Sequence, residues 1–344
     1  MQGGTEESAP GGLTRLPALT TAVEHSMIVL DKVTKYYGSH PAVHDLSFEI
    51  EEGECIGFLG LNGAGKTTTL RMLSCLLLPT SGRVTVKGFD AEEQAHEIRK
   101  LIGFLPDRPP VYPEMTVKAF LVFAGKLRNM DRAAIDRRLP KVLDDCGLGH
   151  VIDEPIQNLS HGYQQRVGIA QAIIHDPALL ILDEPIQGLD PVQIVEMRNM
   201  IRGLRGQHTI LLSTHILSEI AQTSDRILML HEGRITAQGS EEELAARFGA
   251  DGRVRIDLEL RVAGGAGAAE TVQAALGAIG GVDEVDFGSA DDAGVVQVTL
   301  RGRGDVREAV ARCVVEGGSG LLRLEQKESG LEDIFVQLSK EAEA

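Results

Sequence analysis

A glycine-rich segment of eight residues constrains the fold of this chain more than any other feature. Residues 60–67, GLNGAGKT, match the pattern G-x-x-x-x-G-K-[ST] completely. An apolar run at 55–59 precedes the segment and a helical pattern follows it, which is the setting that a phosphate-binding loop requires. Glycine makes up 39 of the 344 residues, so a chance match is the alternative. Because every part of the pattern falls in its expected setting, the sequence predicts an α/β fold with a phosphate-binding loop.

The residue types in this loop match the needs of a nucleoside triphosphate. The glycines let backbone N–H groups converge on phosphate oxygens at the start of a helix. Lys66 offers an ammonium group to the outer phosphates, where it serves both binding and catalysis, and Thr67 offers a hydroxyl to Mg²⁺. The predicted nucleotide contacts in this segment are Asn62, Gly63, Ala64, Gly65, Lys66, Thr67 and Thr68.

Three polar residues follow two further predicted strands. The run ALLILDEP places four apolar residues before Asp183 and Glu184, so both carboxylates emerge at the end of a buried strand. Asp183 is predicted to hold Mg²⁺, directly or through water, and Glu184 to polarise the water that attacks the terminal phosphate. His215 also follows an apolar run and is placed to sense that phosphate. Taken alone, a solvent-facing acidic pair and a structural histidine are the alternatives.

The composition limits the remaining functions. The formal net charge of −16, without a long basic stripe, argues against a general nucleic-acid binder because duplex phosphates would be repelled. The four cysteines form no C-x-x-C pair and indicate reduced thiols in a cytosolic protein. No apolar run reaches the roughly 18 residues that span a bilayer, and the chain start lacks the apolar core of a signal peptide. A membrane role is therefore expected to need a partner.

The length of 344 residues suggests about two domains. Residues 1–27 are rich in Gly, Pro, Ser and Thr and are predicted to be a disordered leader. Residues 28–248 alternate short apolar runs with longer amphipathic stretches, which predicts an α/β P-loop domain. Within it we expect buried strands at 56–60, 179–183 and 209–213, a mainly helical block at 116–145, and a helical lobe at about 107–170.

A second unit is predicted after a linker at 247–252. The pattern restarts with a strict period of two over 254–262, which is typical of a half-buried strand. Residues 253–344 are expected to form a small α+β unit of ferredoxin-like order βαββαβ, with a final helix that begins at Ser329. The expected intermediate elements are a helix near 270–279, strands near 282–287 and 295–300, a helix at 306–315 and a strand at 321–325. Because it has no catalytic cluster, this unit is predicted to regulate or stabilise an assembly, with a small-molecule sensor as the alternative.

Taken in order, the motifs of residues 28–248 resemble those of the nucleotide-binding subunit of an ABC transporter. The segment NLSHGYQQR at 158–166, termed here the signature segment, resembles the family signature. In the family, the serine and helix N-terminus of that signature bind the terminal phosphate of the nucleotide held by the opposite subunit. The resemblance implies this role for Ser160 and Gly162. Two residues depart from the family pattern, since His161 stands at a usual glycine and Tyr163 at a usual glutamine.

The resemblance assigns three more positions. Tyr37 matches the aromatic residue that stacks on adenine, and closing a strand is its alternative role. Asp107 stands where the family normally has a glutamine that contacts Mg²⁺, and a carboxylate cannot donate a hydrogen bond as an amide can. Asp190, with Gly188 and Leu189, matches a loop that crosses between subunits. The acidic residue at 107 and the LEDIFVQLS ending resemble the type-2 branch of drug-export and gliding-type proteins.

The function that the resemblance implies is Mg²⁺-dependent hydrolysis of ATP coupled to transport. Two copies, or one copy and a related subunit, would close around two ATP molecules and drive an integral-membrane permease, with export as the favoured direction. The subunit would lie in the cytoplasm, on the inner face of the membrane, and would not bind nucleic acid. Residues 108–115 are the expected contact with the permease, and a merely rigid loop is the alternative.

Other functions of the same superfamily compete with transport. A ribosome-associated ATPase normally carries two such domains in one chain, and this chain has one. A chromosome-maintenance ATPase needs long coiled-coil heptads between the phosphate loop and Asp183, and that interval has none. A non-hydrolytic nucleotide sensor is disfavoured by Glu184 and His215. A regulatory or mechanical motor on another complex stays open as the alternative.

Overall fold

The computed structural model describes residues 26–249, 253–262, 266–288 and 294–328. The first of these ranges contains the phosphate loop and the polar residues predicted around it. Its strands are β1 (Ser26–Tyr37), β2 (His40–Glu51), β3 (Cys55–Leu59), β4 (Ser81–Val86), β5 (Phe89–Asp90), β6 (Ile102–Leu105), β7 (Leu179–Asp183), β8 (Thr209–Thr214), β9 (Arg226–His231) and β10 (Arg234–Gly239). Its helices are α1 (Lys66–Leu73), α2 (Ala95–Leu101), α3 (Val117–Leu127), α4 (Arg132–Asp145), α5 (His161–Ile173), α6 (Pro191–Gly203), α7 (Leu217–Ala221) and α8 (Glu241–Gly249).

Strand β3, which leads into the phosphate loop, lies inside a six-stranded sheet of order β10-β9-β3-β8-β7-β6. Strands β9, β3, β8, β7 and β6 run parallel, and β10 pairs antiparallel with β9. A parallel sheet needs both faces covered, because its connecting segments cross over both faces. One face packs with the antiparallel sheet β2-β1-β4-β5 and helix α1, and the other packs with α3, α4 and α5. The predicted P-loop α/β fold is confirmed.

The buried strands are where the sequence placed them. Strand β7 has the predicted bounds, β3 begins and ends one residue before the predicted 56–60, and β8 extends one residue beyond the predicted 209–213. All residues of β3, β7 and β8 are buried. The apolar runs were readable because strands covered on both faces carry no polar alternation.

The mainly helical block predicted at 116–145 consists of two helices, α3 and α4. Thr116 begins α3, since its hydroxyl accepts from Ala119 N at 3.2 Å. Asn129, with φ of 60°, takes the chain out of helical geometry after α3. Asp131 then begins α4, where its carboxylate accepts from Ala134 N at 2.6 Å. The break therefore results from residues that end and begin helices inside a continuous apolar pattern.

The C-terminal part contains a separate four-stranded antiparallel sheet of order β12-β13-β11-β14. Its elements are β11 (Arg253–Arg261), α9 (Ala266–Gly277), β12 (Val282–Phe287), β13 (Val295–Arg303), α10 (Arg307–Glu316) and β14 (Gly320–Glu328). Along β11, Ile256, Leu258 and Leu260 are buried in an apolar cluster with α9 and α10, as the period of two predicted. The order of helices and strands is the predicted βαββαβ, and the division of the chain into domains stays a prediction.

Some predictions fall on other parts of the chain. The predicted linker at 247–252 begins inside helix α8, which extends to Gly249. Of the leader predicted at 1–27, residues 1–25 lie outside the described residues, and Ser26 and Met27 are buried in β1. The final helix predicted from Ser329 also lies outside them. In the ranges that are described, no helix is both long and apolar enough to cross a bilayer.

Candidate functional site

Three segments meet at one edge of the six-stranded sheet. Strands β3, β7 and β8 are parallel neighbours, so the residues after their carboxyl ends lie side by side. In register, Leu59 pairs with Thr214, and Asp183 pairs with Ser213. This pairing brings the phosphate loop, the two carboxylates and His215 to the same edge, which is where ligands bind in open α/β sheets.

The phosphate loop has a backbone conformation that favours glycine. Gly63 and Gly65 have φ of 88° and 101°, in the left-handed region. A Cβ on Gly65 would also lie 2.5 Å from the carbonyl oxygen of Ala42 in β2. The loop therefore packs directly against backbone, and helix α1 begins at the next residue, Lys66. The N–H groups at the N-terminus of α1 therefore lie where a phosphate group can bind.

Lys66 is buried inside this edge. Its side chain is 6% exposed, and Nζ donates to the carbonyl oxygens of Gly60 and Leu61 at 2.6 and 3.3 Å. The same Nζ lies 3.3 Å from Oε1 of Glu184. One ammonium group thus connects the phosphate loop to the carboxylate that the sequence predicted as the base.

Glu184 is held from several sides. Its Oε2 lies 3.0 Å from Nδ1 of His215. Its backbone N–H is within reach of both the hydroxyl and the carbonyl oxygen of Ser213, at 3.1 and 3.2 Å. Its own φ of 49° is unusual for a residue with a side chain and turns the carboxylate out of the strand direction. The side chain is consequently fixed between a cation and an imidazole.

Asp183 is 2% exposed and accepts a hydrogen bond from the hydroxyl of Ser213 at 2.6 Å. Burial raises its pKa above the ordinary value, hydrogen bonds from Ser213 and Thr67 oppose that change, and the negative charges of Glu184 and Asp107 add to it. A buried carboxylate with two acidic neighbours is suited to a bound cation. Sequence reasoning missed Ser213, whose only signal was its position in register with Asp183.

A cavity of about 710 Å³ lies beside these groups. Nine of the predicted site residues line it: Asn62, Gly63, Gly65, Lys66, Thr67, Thr68, Asp107, Asp183 and Glu184. Ala42, Arg71, Phe104, Arg108 and Gln187 also line it and were not predicted as site residues. The predicted Ala64 lies behind the loop, buried, where its carbonyl oxygen accepts from Gly233 N at 2.9 Å.

Tyr37 lies at the end of β1 and is 48% exposed. It pairs through the backbone with His40, and the ammonium of Lys35 lies 5.9 Å from its ring centroid. It is not among the residues that line the 710 Å³ cavity. Its position fits the closing of a strand, and its contact with adenine stays a prediction.

The signature segment does not line the phosphate cavity of its own chain. Ser160 begins α5, and its hydroxyl is 3.5 Å from Tyr163 N. Gly162 borders a second cavity, of about 360 Å³, that Asp190 also lines. Asp190 begins α6 by accepting from Val192 N and Gln193 N, both at 3.0 Å. No direct contact with nucleotide in the same chain is expected from these three predicted residues.

Comparisons with known proteins agree with this geometry. A family model described as ABC transporter matches residues 43–187. The bacitracin transport ATP-binding protein BcrA of Bacillus licheniformis is 35% identical over 91% of this chain and 97% of its own length. The daunorubicin resistance ATP-binding protein DrrA3 of Streptomyces coeruleorubidus is 33% identical over 91% of this chain and 95% of its own length. The ABC transporter ATP-binding protein NatA of Bacillus subtilis strain 168 is 40% identical over 59% and 83%.

Solved structures give the same assignment. The structure of an ATP-binding subunit of an ABC transporter has a TM-score of 0.59 and 30% identity, covering 65% of this chain and 93% of that one. The dimeric cassette MJ0796, a bacterial ABC transporter cassette, has a TM-score of 0.57 and 26% identity, covering 62% and 98%. A structure of the same cassette holds ADP and phosphate. The chain therefore belongs to the ABC transporter family, as an ATP-binding subunit that hydrolyses ATP.

Proposed function

We propose that the chain works as a face-to-face dimer in which Glu184 cleaves ATP, and that this cycle drives export through a separate permease subunit. The position of Glu184 supports this proposal most directly. It lies between the ammonium of Lys66 at 3.3 Å and the imidazole of His215 at 3.0 Å, beside the phosphate-loop cavity. A carboxylate held in this way is a suitable general base for water.

The roles of the cavity residues follow from their chemistry. Backbone N–H groups at the start of α1 and the Lys66 ammonium bind the phosphates, because Lys66, Thr67 and Thr68 line the cavity and a helix N-terminus favours an anion. Glu184 accepts the proton of the attacking water as the water oxygen bonds to the terminal phosphorus, while the bond from that phosphorus to the bridging oxygen breaks and ADP leaves with the bridging oxygen. His215 keeps the Glu184 carboxylate in place through Nδ1, at 3.0 Å from Oε2, and would sense the terminal phosphate through that carboxylate. Arg71 and Arg108 add positive charge to the cavity wall.

The same cavity fits Mg²⁺. Thr67, Asp183 and Asp107 line this cavity together, and the negative charge of Asp107 contributes to the raised pKa of Asp183. Within the described ranges, no group of three or more His, Cys, Asp or Glu side chains is placed to hold a metal alone. Mg²⁺ in nucleotide sites is commonly held by one or two carboxylates together with substrate phosphates. We propose Thr67 and Asp183 as its protein contacts, with Asp107 beside them; the ion would neutralise the phosphate charge.

The signature segment supports the dimer. Ser160, His161 and Gly162 do not line the phosphate cavity of their own chain, and a helix N-terminus favours an anion. We propose that they complete the ATP site of a second subunit, either another copy or a related chain. Tyr37 would stack on adenine in that closed state, and Asp190 would lie at the contact between subunits. The dimeric state of the MJ0796 cassette is the precedent for this arrangement.

We further propose that the subunit lies on the cytoplasmic face of the membrane, bound to the permease. Tyr112, 51% exposed, packs its ring edge-on against Phe123 at 5.5 Å in the region of 108–115. An exposed aromatic residue on a rigid support suits a protein contact. Export is named for two relatives, both Nod factor export ATP-binding proteins, of which that of Rhizobium meliloti is 39% identical over 65% of this chain. The C-terminal unit would stabilise the dimer.

The test is purification of the tagged chain from membranes, followed by crosslinking from position 112. We expect an integral-membrane protein to copurify and to crosslink there. Membrane vesicles that contain both subunits should move substrate with ATP, and Glu184→Gln in the ATP-binding subunit should abolish that movement. Copurification with ribosomes and without a membrane protein would contradict the transport proposal while leaving the ATPase assignment intact.

A further inference from the structure

The signature segment and the segment after Glu184 touch each other within one chain. Nε2 of His161, the first residue of α5, lies 3.3 Å from the carbonyl oxygen of Gln187. A carbonyl oxygen only accepts, so the imidazole donates from Nε2. The ring also covers the next residue, because a Cβ on Gly188 would lie 3.6 Å from the same nitrogen.

This contact leads directly to the catalytic centre. Gln187 N donates to the carbonyl oxygen of Glu184 at 3.2 Å, which closes a turn between the base and the carbonyl that His161 holds. Gln187 also lines the phosphate cavity of its own chain. A displacement of this turn, for example when the terminal phosphate is lost, therefore reaches His161 through two hydrogen bonds.

The contact also involves the start of α5, which we propose binds the nucleotide of the second subunit. His161 is adjacent to Ser160, whose hydroxyl caps the start of α5, so a shift of the imidazole shifts the start of that helix. Farther along α5, a Cβ on Gly162 would lie 2.5 Å from Oε1 of Gln193, and Arg166 pairs with Glu196 at 2.5 Å. These contacts join α5 to α6, whereas His161 joins α5 to the turn that carries Glu184.

We propose that His161 is a positioning residue that couples the two ATP sites of the dimer. It holds the turn at 184–187, which belongs to one site, against the start of α5, which serves the other. Loss of the terminal phosphate in one site then alters how Ser160 is presented to the nucleotide in the second. The proposal rests on the proposed function, since only a dimer with shared sites gives α5 a second nucleotide.

The first test compares two side chains of similar length at position 161. Glutamine in His161→Gln has an amide N–H that can donate to Gln187, and methionine in His161→Met has no donor. We expect His161→Met to lower kcat about tenfold, with KM for ATP and the unfolding temperature changed little, since one hydrogen bond that acts in turnover is lost. His161→Gln should retain kcat within about twofold of the unmodified chain. Equal kcat in both variants would overturn the proposal.

The second test separates coupling from a local effect. It uses mixed dimers that are assembled from two differently tagged chains and in which only one of the two ATP sites is active. In the first dimer, the chain with the active Glu184 carries His161→Met and its partner carries Glu184→Gln. In the second dimer, one chain carries both substitutions and the other is unmodified, so the altered α5 serves the active site. Coupling predicts that both dimers are slowed about equally relative to a dimer with Glu184→Gln in one chain alone.

Each other outcome of the mixed dimers has a defined meaning. Slowing in the first dimer alone means that His161 shapes only the turn of its own site, and slowing in the second alone means that it shapes only the signature segment. Either result overturns coupling, as does full activity in both. The dimer with Glu184→Gln in both chains is the control for the proposed function: if it hydrolyses ATP at the normal rate, the role of Glu184 fails irrespective of His161.

Discussion

Ser213 contacts both acidic residues of the site, the carboxylate of Asp183 and the backbone of Glu184. Its hydroxyl donates to Asp183 at 2.6 Å and accepts from Glu184 N at 3.1 Å. The bond to Asp183 favours the ionised carboxylate, so Ser213→Ala should raise the pKa of Asp183 further above its ordinary value. We expect the Mg²⁺ concentration for half-maximal ATPase activity to rise severalfold, most strongly at low pH, together with a loss of about 1 to 3 kcal/mol in stability.

Ser74 provides a matched control for that prediction. It is also a buried serine, and its hydroxyl bonds to the carbonyl oxygens of Leu70 and Arg71 in α1, outside the carboxylate pair. Titration of ATPase activity with Mg²⁺ should give the same midpoint for Ser74→Ala and for the unmodified chain. An unchanged midpoint for Ser213→Ala would show that Asp183 does not take part in Mg²⁺ binding.

Single residues differed in how far the sequence could predict them. Lys66 and Glu184 were readable because their spacing from glycines and apolar runs reflects the backbone conformation that positions them. Ser213 was not, since a serine inside a buried strand has no local pattern and its partner is 30 residues earlier in the chain. Tyr37 and Asp107 came from resemblance alone, and of the two only Asp107 lines the cavity.

Among the elements, the phosphate loop depends on its close contact with strand β2. Gly63 and Gly65 share a positive φ, but a Cβ on Gly63 meets open space whereas one on Gly65 meets the Ala42 carbonyl oxygen at 2.5 Å. Gly63→Ala should cost about 1 to 2 kcal/mol through backbone strain, and Gly65→Ala clearly more because β2 must move. Urea denaturation without nucleotide measures both. Equal losses of stability in the two variants would mean that β2 moves away from the added methyl group without further cost.

The end of helix α5 is attached to strand β6 through His175, whose imidazole donates to the Ile102 carbonyl oxygen at 3.1 Å. Burial, with the nearby charge of Arg128, lowers the pKa of His175 from 6.5 to about 4. The unfolded chain therefore takes up this proton first, so stability is full above about pH 6.5 and is lost as the pH falls toward about 4.

The size of that pH effect is testable with one variant. The slope that His175 contributes is at most about 1.4 kcal/mol for each pH unit. His175→Gln keeps a donor for Ile102 but cannot titrate, so its stability should fall less between pH 7 and pH 5 than that of the unmodified chain. Urea midpoints at several pH values give the comparison. Parallel curves would show that His175 does not titrate in this range.

At the level of elements, the sequence predicted best where burial is complete. Strands β3, β7 and β8 carry uninterrupted apolar runs because both faces of the sheet are covered. The division between α3 and α4 was not predicted, since Asn129 and Asp131 interrupt an otherwise continuous helical pattern only by their local conformation. The contact between α5 and the segment after Glu184 joins residues that are distant in the sequence, so no local sequence pattern predicted it.

Considering the whole molecule, the two parts of the chain have separate apolar cores. The described members of the C-terminal core come from residues 256–324, and the nucleotide cavity is lined by residues between 42 and 187. A chain that ends at Gly249 should therefore bind ATP with an affinity within about twofold of the full chain. Its dimer should be weaker if the C-terminal unit stabilises it. Loss of ATP binding on truncation would show that the two parts fold together.

In the proposed cycle, ATP joins two chains and Glu184 releases them by hydrolysis. Analytical ultracentrifugation of the Glu184→Gln protein, with ATP bound and counted, tests it most directly, with Ser160→Arg added as the control that blocks the shared site. We predict a stable dimer with two ATP molecules for Glu184→Gln, and a monomer that still binds ATP when Ser160→Arg is added. Hydrolysis by Glu184→Gln at the rate of the unmodified chain would contradict the role of Glu184. An ATP-loaded monomer of Glu184→Gln without Ser160→Arg would contradict ATP-dependent dimerisation.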